Sequence, residues 1–212
     1  MREILLATSN PGKAREMRQI LKSSDPGLSR LVRWRSLAEF EGWAEPLEDG
    51  VTFRANAELK ARHYARLSGL WTVADDSGLE VDALDGEPGV RSARYAAAPR
   101  DDRANNALLI QRLAGVPAGQ RSARFRCAAV LSDGERVLAW AEGTVDGRII
   151  DQPRGRNGFG YDPHFWIETA GMTAAEMSPE QKNAISHRGQ ALRRLGEQLL
   201  QQLFAQNRGP SG

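Results

Sequence analysis

Lysine is scarce in this chain of 212 residues. The 29 basic residues comprise 25 arginines and only four lysines. Three of the four, Lys13, Lys60 and Lys182, lie in polar segments marked by glycine turns. A lysine ammonium is a compact point charge with three donors, whereas an arginine guanidinium is a planar fork. Lysine at these three positions indicates a pocket for a polyphosphate, although chance retention would leave the same pattern.

Cysteine, long apolar runs and charge blocks are also rare or missing, and each absence excludes a class of protein. Cys127 is the one cysteine, so no internal disulfide forms, and its place in an alternating apolar run indicates core packing rather than reactivity. No apolar run approaches the roughly 18 residues of a membrane-spanning helix. The formal net charge is +2 without a run of like charges, which argues against nucleic-acid binding. Without a signal-peptide pattern, a cytoplasmic location without a membrane partner is expected.

The pattern of the chain predicts an α/β fold. Short apolar runs interleave with segments of helical periodicity, and a hairpin signal stands at Asp133-Gly134. This order is typical of a mixed sheet with flanking helices. The length suits one substantial domain or two small lobes over a shared core, and no clean domain boundary is visible over 1–204; a frayed tail over 205–212 is expected. Strands are predicted at 4–7, 31–35, 70–74, 79–84, 123–131 and 136–145, and helices at 11–22, 52–67, 101–114 and 187–204.

The first candidate site is the turn at 8–13. Asn10 suits the N-cap of the helix that follows, and Pro11 suits its first position. Such a turn presents free backbone N–H groups and a positive dipole end to an anion. Gly12 permits close approach of a ligand, and Lys13 adds a full charge. The turn predicts a phosphate site, with an ordinary capped strand–helix connection as the alternative.

Acidic residues form the second candidate site. Asp75 and Asp76 are predicted to stand where a buried strand ends, which is where ligands bind in α/β sheets. Glu48 and Asp49 precede the second predicted helix. Carboxylates from separate segments suit Mg²⁺, which prefers hard oxygen ligands and shares phosphate oxygens with its substrate. Turn formation is the alternative, since Asp-Ser-Gly and Glu-Asp-Gly are common turn sequences.

The third candidate is an aromatic loop at 157–163. Two glycines flank Phe159, so the backbone bends tightly and presents an aromatic face on which a planar base could stack. The alternative is a loop that plugs the core. The fourth candidate joins Lys182 to His187 and Arg188, where two helical segments meet. Their donors suit a carbonyl edge of a base, because arginine cannot accept a hydrogen bond; a structural helix cap is the alternative for His187.

Six motifs in order resemble the inosine triphosphate pyrophosphatase family, the non-standard purine nucleoside triphosphate pyrophosphatases (dITP/XTP pyrophosphatases). No single motif is decisive, but the ordered set covers nearly the whole chain and is highly specific. The motifs are ATSNPGK at 7–13, FxxNAxxKA at 53–61, ADDSGL at 74–79, PGVxSARY at 88–95, GFGYDP at 158–163 and ISHRG at 185–189.

The resemblance implies a role for each matching residue. Glu48 and Asp76 would bind Mg²⁺, Asp76 would accept a proton from water, and Lys60 and Ser77 would support the phosphates. The residues implied to hold the triphosphate are Thr8, Ser9, Asn10, Pro11, Gly12 and Lys13. The residues implied to line the nucleoside and base pocket are Phe159, Gly160, Tyr161, Asp162, Lys182, His187 and Arg188.

The resemblance also implies an architecture and a reaction. The fold would be a long, twisted mixed sheet with helices on its faces, forming two lobes around a central substrate cleft, usually in a homodimer. The reaction would convert ITP, dITP or XTP to the monophosphate and pyrophosphate. It would remove these nucleotides before they enter DNA and RNA. A 6-keto purine would be favoured, because it accepts a hydrogen bond from His187 or Arg188.

Two departures and two rival interpretations remain at this stage. The segment at 23–43 is longer than is typical of the family, and Glu48-Asp49 stands where a glutamate and a small polar residue are expected, which leaves Glu48 as the better metal ligand. A septum-formation-type nucleotide pyrophosphatase is one rival, disfavoured by the segment at 186–189. A catalytically silent nucleotide-binding module is the other, disfavoured because Asp75 and Asp76 are both present.

Overall fold

The computed structural model describes residues 1–97 and 100–207. Within these ranges lie seven strands and six α-helices, besides short 3₁₀ turns. The strands are β1 (Arg2–Leu6), β2 (Val32–Ser36), β3 (Trp71–Val81), β4 (Ser122–Ser132), β5 (Val137–Ile149), β6 (Phe165–Ile167) and β7 (Met172–Thr173). The helices are α1 (Pro11–Ser24), α2 (Pro26–Leu31), α3 (Phe53–Ser68), α4 (Asp102–Arg112), α5 (Pro179–Ile185) and α6 (His187–Asn207).

The strands of the described residues form a mixed sheet in the order β2-β1-β3-β4-β5-β6-β7. Strand β1 pairs in parallel with β2 and β3, whereas β6 pairs antiparallel with β5 and β7. Parallel neighbours require crossover connections, which the helices between β1, β2 and β3 supply. The predicted α/β fold with a mixed sheet and flanking helices is confirmed.

The first of two compact units comprises Met1–Asp76, Cys127–Glu142 and the described part of the chain from Arg188 onward. Its core is built from one apolar stripe of α1 and one of α6 packed with apolar residues of β1 and β3. Both helices repeat apolar residues at helical spacing, so each buries one face. The buried residues of these elements include Ile4, Leu6, Met17, Ile20, Leu21, Val73, Leu192, Leu195 and Leu199.

The second unit comprises Gly143–His187 and, apart from residues 98 and 99, Ser77–Arg126. It has a core of its own, with apolar residues from the end of β3, from α4, and from β4, β5 and β6. Alternate residues of the strands point to one face, which is why the predicted period-two pattern of β4 places Ala123 and Phe125 together in this core. Each unit therefore carries a separate set of candidate site residues.

Helix starts carry local capping signals. The cap predicted at Asn10 is confirmed, since Asn10 caps α1 and Pro11 is its first residue. Thr52 caps α3, with its hydroxyl accepting from the N–H of Ala55 at 3.1 Å. The capping box at Ser178 and Gln181 is present in both directions at the start of α5. These local signals act within one turn of helix, so they are readable without tertiary information.

The prediction that a strand ends at Asp75 is wrong. The two predicted strands at 70–74 and 79–84 are one continuous strand, β3, so Asp75 and Asp76 lie in its middle. The Asp-Ser-Gly sequence signals a turn only where its carboxylate is free to bond local backbone. Here Asp75 and Asp76 engage basic side chains from distant segments instead, and the backbone stays extended.

The chain between α1 and β2 and the chain end both differ from expectation. Helix α2, which was not predicted, occupies 26–31 and is capped by Asp25, whose carboxylate accepts from the N–H of Gly27. Helix α6 continues to Asn207, past the expected end at 204; the rest of the predicted frayed tail, 208–212, lies outside the described residues. Among the described helices, none is both long and apolar enough to span a membrane.

Candidate active site

The turn after β1 is closed by its own capping residue. The side-chain oxygen of Asn10 accepts from the N–H groups of Gly12 at 2.8 Å and Lys13 at 3.2 Å. The hydroxyl of Thr8 accepts from the N–H of Asn10 at 3.2 Å. The prediction of free N–H groups is therefore wrong at Gly12 and Lys13, because the cap satisfies both. What this turn offers an anion is the charge of Lys13 and the helix dipole.

A buried cluster of four charged residues anchors Lys13; we call Lys13, Glu16, Asp75 and Arg188 the Asp75 cluster. The ammonium of Lys13 lies 3.4 Å from Oδ2 of Asp75. Arg188 donates from Nε to the same oxygen at 3.1 Å and from Nη1 to Oε2 of Glu16 at 2.5 Å. Arg188 is only 1% exposed. Two cations and two carboxylates thus neutralise one another, with Asp75 and Arg188 buried and Lys13 and Glu16 half-buried.

The Asp75 cluster keeps its central carboxylate ionised. Burial raises the pKa of Asp75, but the charges of Lys13 and Arg188 outweigh burial and hold this pKa well below its usual range. Cys127 packs against the cluster, with Sγ 3.8 Å from Oδ2 of Asp75. Burial raises the pKa of the Cys127 thiol, which therefore stays protonated. The predicted core location of Cys127 is confirmed.

A second charged cluster surrounds Lys60; we call Glu48, Asn56, Lys60 and Asp76 the Lys60 cluster. The ammonium of Lys60 lies 3.3 Å from Oε2 of Glu48 and 3.5 Å from Oδ1 of Asp76. The amide of Asn56 donates to Oδ2 of Asp76 at 3.2 Å and accepts from the N–H of Gly50 at 2.8 Å. Both oxygens of Asp76 are thereby oriented by α3.

Helix α3 delivers Lys60 to this cluster along its buried face. Helical spacing predicts that Phe53, Ala57, Lys60, Tyr64 and Leu67 share one face. The first four are buried, with Asn56 beside them, but Leu67 at the end of the helix is exposed. Burial lowers the pKa of Lys60, but the charges of Asp76 and Glu48 raise it by more. The pKa of Lys60 therefore lies above its ordinary value. The ammonium stays charged. Two carboxylates that share one cation form a hard-oxygen donor pair suited to a divalent ion.

The second unit holds the predicted aromatic loop. Lys182 donates from Nζ to Oδ2 of Asp162 at 2.6 Å, and the N–H of Phe159 donates to the same oxygen at 2.8 Å. The Lys182 ammonium lies 4.8 Å from the Phe159 ring centroid, within range of a cation–π contact. Three of the residues predicted for the base pocket are therefore linked through one carboxylate oxygen.

Gly158 makes this arrangement sterically possible. Its φ is +76°, a conformation that other residues rarely adopt. A Cβ at this position would stand 2.0 Å from Oδ2 of Asp162, the oxygen that holds Lys182 and Phe159. The glycine before Phe159 is required because the Asp162 carboxylate occupies the space of a side chain.

Two other predicted pocket residues have structural contacts. The hydroxyl of buried Tyr161 donates to the carbonyl of Ser92 at 2.8 Å. His187 is buried at the start of α6, and its ring stacks on Phe125 at 4.9 Å with planes 12° apart. Phe125 in turn contacts Phe165 at 4.6 Å between ring centroids. Both residues are held rigidly, Tyr161 as part of the core of the second unit.

Three of the remaining candidates are not members of the Asp75 cluster or the Lys60 cluster as defined above. Ser9 and Pro11 are exposed at the start of α1, and Ser77 is half-buried directly after Asp76 in β3. Asp49, next to Glu48, is exposed and lies outside the helices and strands. Across the parts of the chain that the structure describes, no group of three or more His, Cys, Asp or Glu side chains is assembled for a metal.

Comparison with known proteins decides the family. The sequence profile of the Ham1 family matches residues 4–198. The chain belongs to the Ham1 family. It is 46% identical to the dITP/XTP pyrophosphatase of Desulforamulus reducens, over 95% of this chain and 97% of that protein. It is 47% identical to the dITP/XTP pyrophosphatase of Geobacillus kaustophilus, over 93% of this chain and 94% of that protein.

Solved structures of Ham1 proteins share the fold. A HAM1 protein from Coxiella burnetii superposes with a TM-score of 0.82 at 39% identity, covering 95% of this chain and 100% of that one. A nucleoside-triphosphatase / dITP/XTP pyrophosphatase from Mycobacterium abscessus superposes with a TM-score of 0.71 at 45% identity, covering 91% and 97%. The resemblance inferred from the motifs is confirmed.

Sequence reasoning missed several residues that build the sites of this Ham1 chain. Asn56 stands inside a quoted motif without an assigned role, although an asparagine on an otherwise buried helix face is a readable signal of a polar partner. Glu16 lies three residues after Lys13, on the same side of α1, and was not considered. Asp102 and Asn106, four residues apart on α4, both contact Gly160.

Proposed function

We propose that this protein is a Mg²⁺-dependent nucleoside-triphosphate pyrophosphatase. Its substrates are ITP, dITP and XTP, which it hydrolyses to the monophosphate and pyrophosphate. The observation that carries the proposal is the Lys60 cluster, in which a buried lysine and two carboxylates from separate segments converge. Near full-length identity of 46% and 47% to proteins named dITP/XTP pyrophosphatases supports the substrate class.

The phosphate-binding groups are assigned to the first unit, together with Ser77, the first residue of the second unit. Lys13 sits at the start of α1, with its charge held in place by Asp75. We assign the triphosphate to Lys13, to the Thr8 and Ser9 side chains and to Lys60, and we assign Asn10 to shaping the turn. Gly12 and Pro11 keep the backbone compact there. Ser77, next to Asp76, is assigned to a phosphate oxygen.

The Lys60 cluster fits a magnesium site. Mg²⁺ is held in nucleotide enzymes by one or two carboxylates, with substrate phosphates and water completing its shell. Glu48 and Asp76 supply two such carboxylates, already gathered on one cation. When bound, the ion would neutralise phosphate charge as the transition state develops. Lys60 would balance the remaining negative charge.

The chemical step is hydrolysis of the link between the α and β phosphorus atoms. A water oxygen bonds to phosphorus, and the oxygen bridging the two phosphorus atoms leaves with one product. Asp76 accepts the proton that water loses, a role for a positioned carboxylate that contributes typically 10²–10⁴-fold. Asn56 orients Asp76 for this transfer. Lys13 and Lys60 stabilise the pyrophosphate that leaves.

Base recognition is assigned to the second unit. Phe159 and Gly160 would contact the planar base, while Asp162, Lys182 and Tyr161 hold the loop in shape. A donor such as His187 would face the 6-keto oxygen of hypoxanthine or xanthine. Adenine carries an amino group there, which would leave donors facing donors and produce strong discrimination.

The contacts of Arg188 favour a positional role. Its guanidinium is bound to Asp75 and Glu16 in the first unit. We assign Arg188 to holding Asp75, and through it Lys13, rather than to direct contact with the base. Substitution of Arg188 should then alter phosphate binding, measured as competition by inorganic tripolyphosphate. A change confined to the ratio of ITP to ATP turnover would contradict this assignment.

A panel of nucleotides tests the proposed function. We expect pyrophosphate release from ITP and XTP with Mg²⁺, much slower release from ATP and GTP, and almost none after chelation. Equal rates of pyrophosphate release from all four nucleotides would contradict the proposed selectivity for ITP and XTP. Tight ITP binding by calorimetry without pyrophosphate release would instead identify a silent nucleotide-binding module, and preferential cleavage of pyrimidine nucleotides would favour a septum-formation-type enzyme.

The proposal extends to the location and the assembly of the protein. The substrates belong to the cellular nucleotide pool, so we place the protein in the cytoplasm. The motif resemblance supports a homodimer. Light scattering during gel filtration measures the mass in solution, and a mass matching the 23.3 kDa chain at working concentration would overturn the dimer.

A further inference from the structure

The backbone of Gly160 is held at both ends by α4. Its N–H donates to Oδ2 of Asp102 at 2.7 Å, and its carbonyl accepts from Nδ2 of Asn106 at 2.9 Å. Residues four apart lie on one face of a helix, which brings both side chains to the backbone of the same residue and fixes the peptide groups on either side of it. We call Asp102 and Asn106 the Gly160 clamp.

The clamp is itself fixed by neighbouring groups. Nδ2 of Asn106 also donates to the carbonyl of Asp102 at 2.8 Å. Its two acceptors are carbonyls, so the opposite orientation of the amide would set oxygen against oxygen. Arg100 donates to both carboxylate oxygens of Asp102, at 2.7 and 2.9 Å. The clamp is therefore held in place before any ligand arrives.

The clamp and the Asp162 carboxylate hold the same short loop from different directions. Phe159 is tied through its N–H to Asp162, and the next residue, Gly160, is tied to α4. The Phe159 ring also lies within reach of two cations, 5.5 Å from the Arg100 guanidinium carbon and 4.8 Å from the Lys182 ammonium. Both contacts restrain the orientation of the ring.

We propose that Asp102 and Asn106 are specificity-determining positioning residues, which fix the Gly160 backbone and thereby the face that Phe159 presents to the purine base. This inference rests on the proposed function, in which Phe159 and Gly160 contact the base. Among the described residues, the side-chain hydrogen bonds of the two clamp residues are with Arg100, Gly160 and each other, and not with Asp76 or with Lys13 and Lys60. Their loss should therefore weaken base recognition and leave the chemical step intact.

Two truncations and one conservative variant test the clamp. Asp102→Ala and Asn106→Ala should each raise KM for ITP about three- to tenfold, the effect of losing one hydrogen bond, with kcat within about twofold. Asp102→Asn keeps an oxygen that accepts from Gly160 and should restore most of the loss. The selectivity for ITP over ATP should fall in the truncated variants, since their base loop is less well defined.

Matched measurements separate positioning from general damage. Inorganic tripolyphosphate carries the phosphate chain without a base, so its inhibition constant should be unchanged in all variants. Gln111→Ala, at an exposed position of the same helix, serves as the control and should match the wild type. Thermal melting shows whether each variant is folded; with truncations at two positions, the test does not depend on one variant.

Each result decides between the inference and its failure. Folded truncation variants with unchanged KM for ITP and unchanged selectivity, beside an active wild type, would overturn the clamp and leave the proposed function standing. A tripolyphosphate inhibition constant that rises in parallel with KM would also overturn it, because the change would be general. A wild type that releases no pyrophosphate from ITP would refute the proposed function and this inference together.

Discussion

Asp75 and Asp76 are neighbours in β3, yet their carboxylates bind different cations. Asp75 holds Lys13 and Arg188, whereas Asp76 holds Lys60. Successive side chains of a strand point to opposite faces of the sheet, so adjacent carboxylates meet different helices. The pair therefore holds two separate sets of charge: Asp75 anchors Lys13, which we propose binds phosphate, and Asp76 belongs to the Lys60 cluster, to which we assign the chemistry.

Asp75→Asn should destabilise the protein strongly. The substitution keeps the shape of the side chain but removes the buried negative charge that Lys13 and Arg188 share, which leaves Glu16 as the remaining carboxylate of the cluster. Breaking a buried pair in this way costs about 3–5 kcal/mol of the free energy of unfolding. Urea denaturation at neutral pH measures it. A loss below about 1 kcal/mol would show that the Asp75 cluster contributes little to stability.

Asp76→Asn should affect catalysis more than stability. The substitution removes the carboxylate that we assign as the acceptor of the proton from water, so kcat should fall about 100-fold or more. The half-exposed Glu48 still pairs with Lys60, so the loss of stability should be smaller than for Asp75→Asn. Pyrophosphate release under saturating ITP gives kcat; undiminished turnover would remove the assigned role of Asp76.

Cys127 should be inert toward thiol reagents in the folded protein. Its side chain is buried and the pKa of the thiol is raised, so neither access nor thiolate is available. We expect a disulfide reagent that releases a chromophore to react with Cys127 only as fast as the protein unfolds. The rate of this reaction should therefore rise with the urea concentration. Fast labelling of the folded protein would contradict the buried position of Cys127. A Cys127→Ala variant with unchanged activity serves as the control without a thiol.

Asp102 should make the stability of the protein depend on pH in acid. Burial raises its pKa, but the hydrogen bonds from Arg100 and from the N–H of Gly160 hold the pKa below its ordinary value. The ionised carboxyl therefore stabilises the fold above about pH 4, the unfolded-state value, and this contribution is lost as the pH falls through the folded pKa.

The Asp102→Asn variant isolates that contribution. The difference in free energy of unfolding between wild type and variant should be largest near pH 6 and should shrink on acidification below about pH 4. Urea titrations across this range measure it, and acid effects of other carboxyls cancel in the difference. A constant difference from pH 6 to pH 3 would show that Asp102 gains nothing from its partners.

Much of the fold was predictable because its signals are local. Asn10, Thr52 and Ser178 cap helices through contacts within one turn, and the alternation over 123–131 marks β4. Helical spacing also placed Lys60 on a buried face. Such patterns depend on the geometry of one helix or strand, so they need no knowledge of the partner elements.

Predictions failed where a distant partner outweighed a local preference. The Asp-Ser-Gly sequence suggested the end of a strand, but Lys13, Arg188 and Lys60 engage the two carboxylates and β3 continues. At the first turn, the Asn10 side chain took the N–H groups expected to bind phosphate. Propensity is a weak prior that tertiary contacts override.

By itself, the sequence determined the α/β class, the start of α1 and the family of this chain, because caps, periodicity and six ordered motifs are properties of short segments. Only the tertiary structure decided which charges meet. Arg188 joined Asp75 and Glu16, and Gly160 joined Asp102 and Asn106, across long stretches of sequence. Such pairings follow from how helices pack on a sheet, and a one-dimensional pattern carries no distance between segments that are remote in the chain.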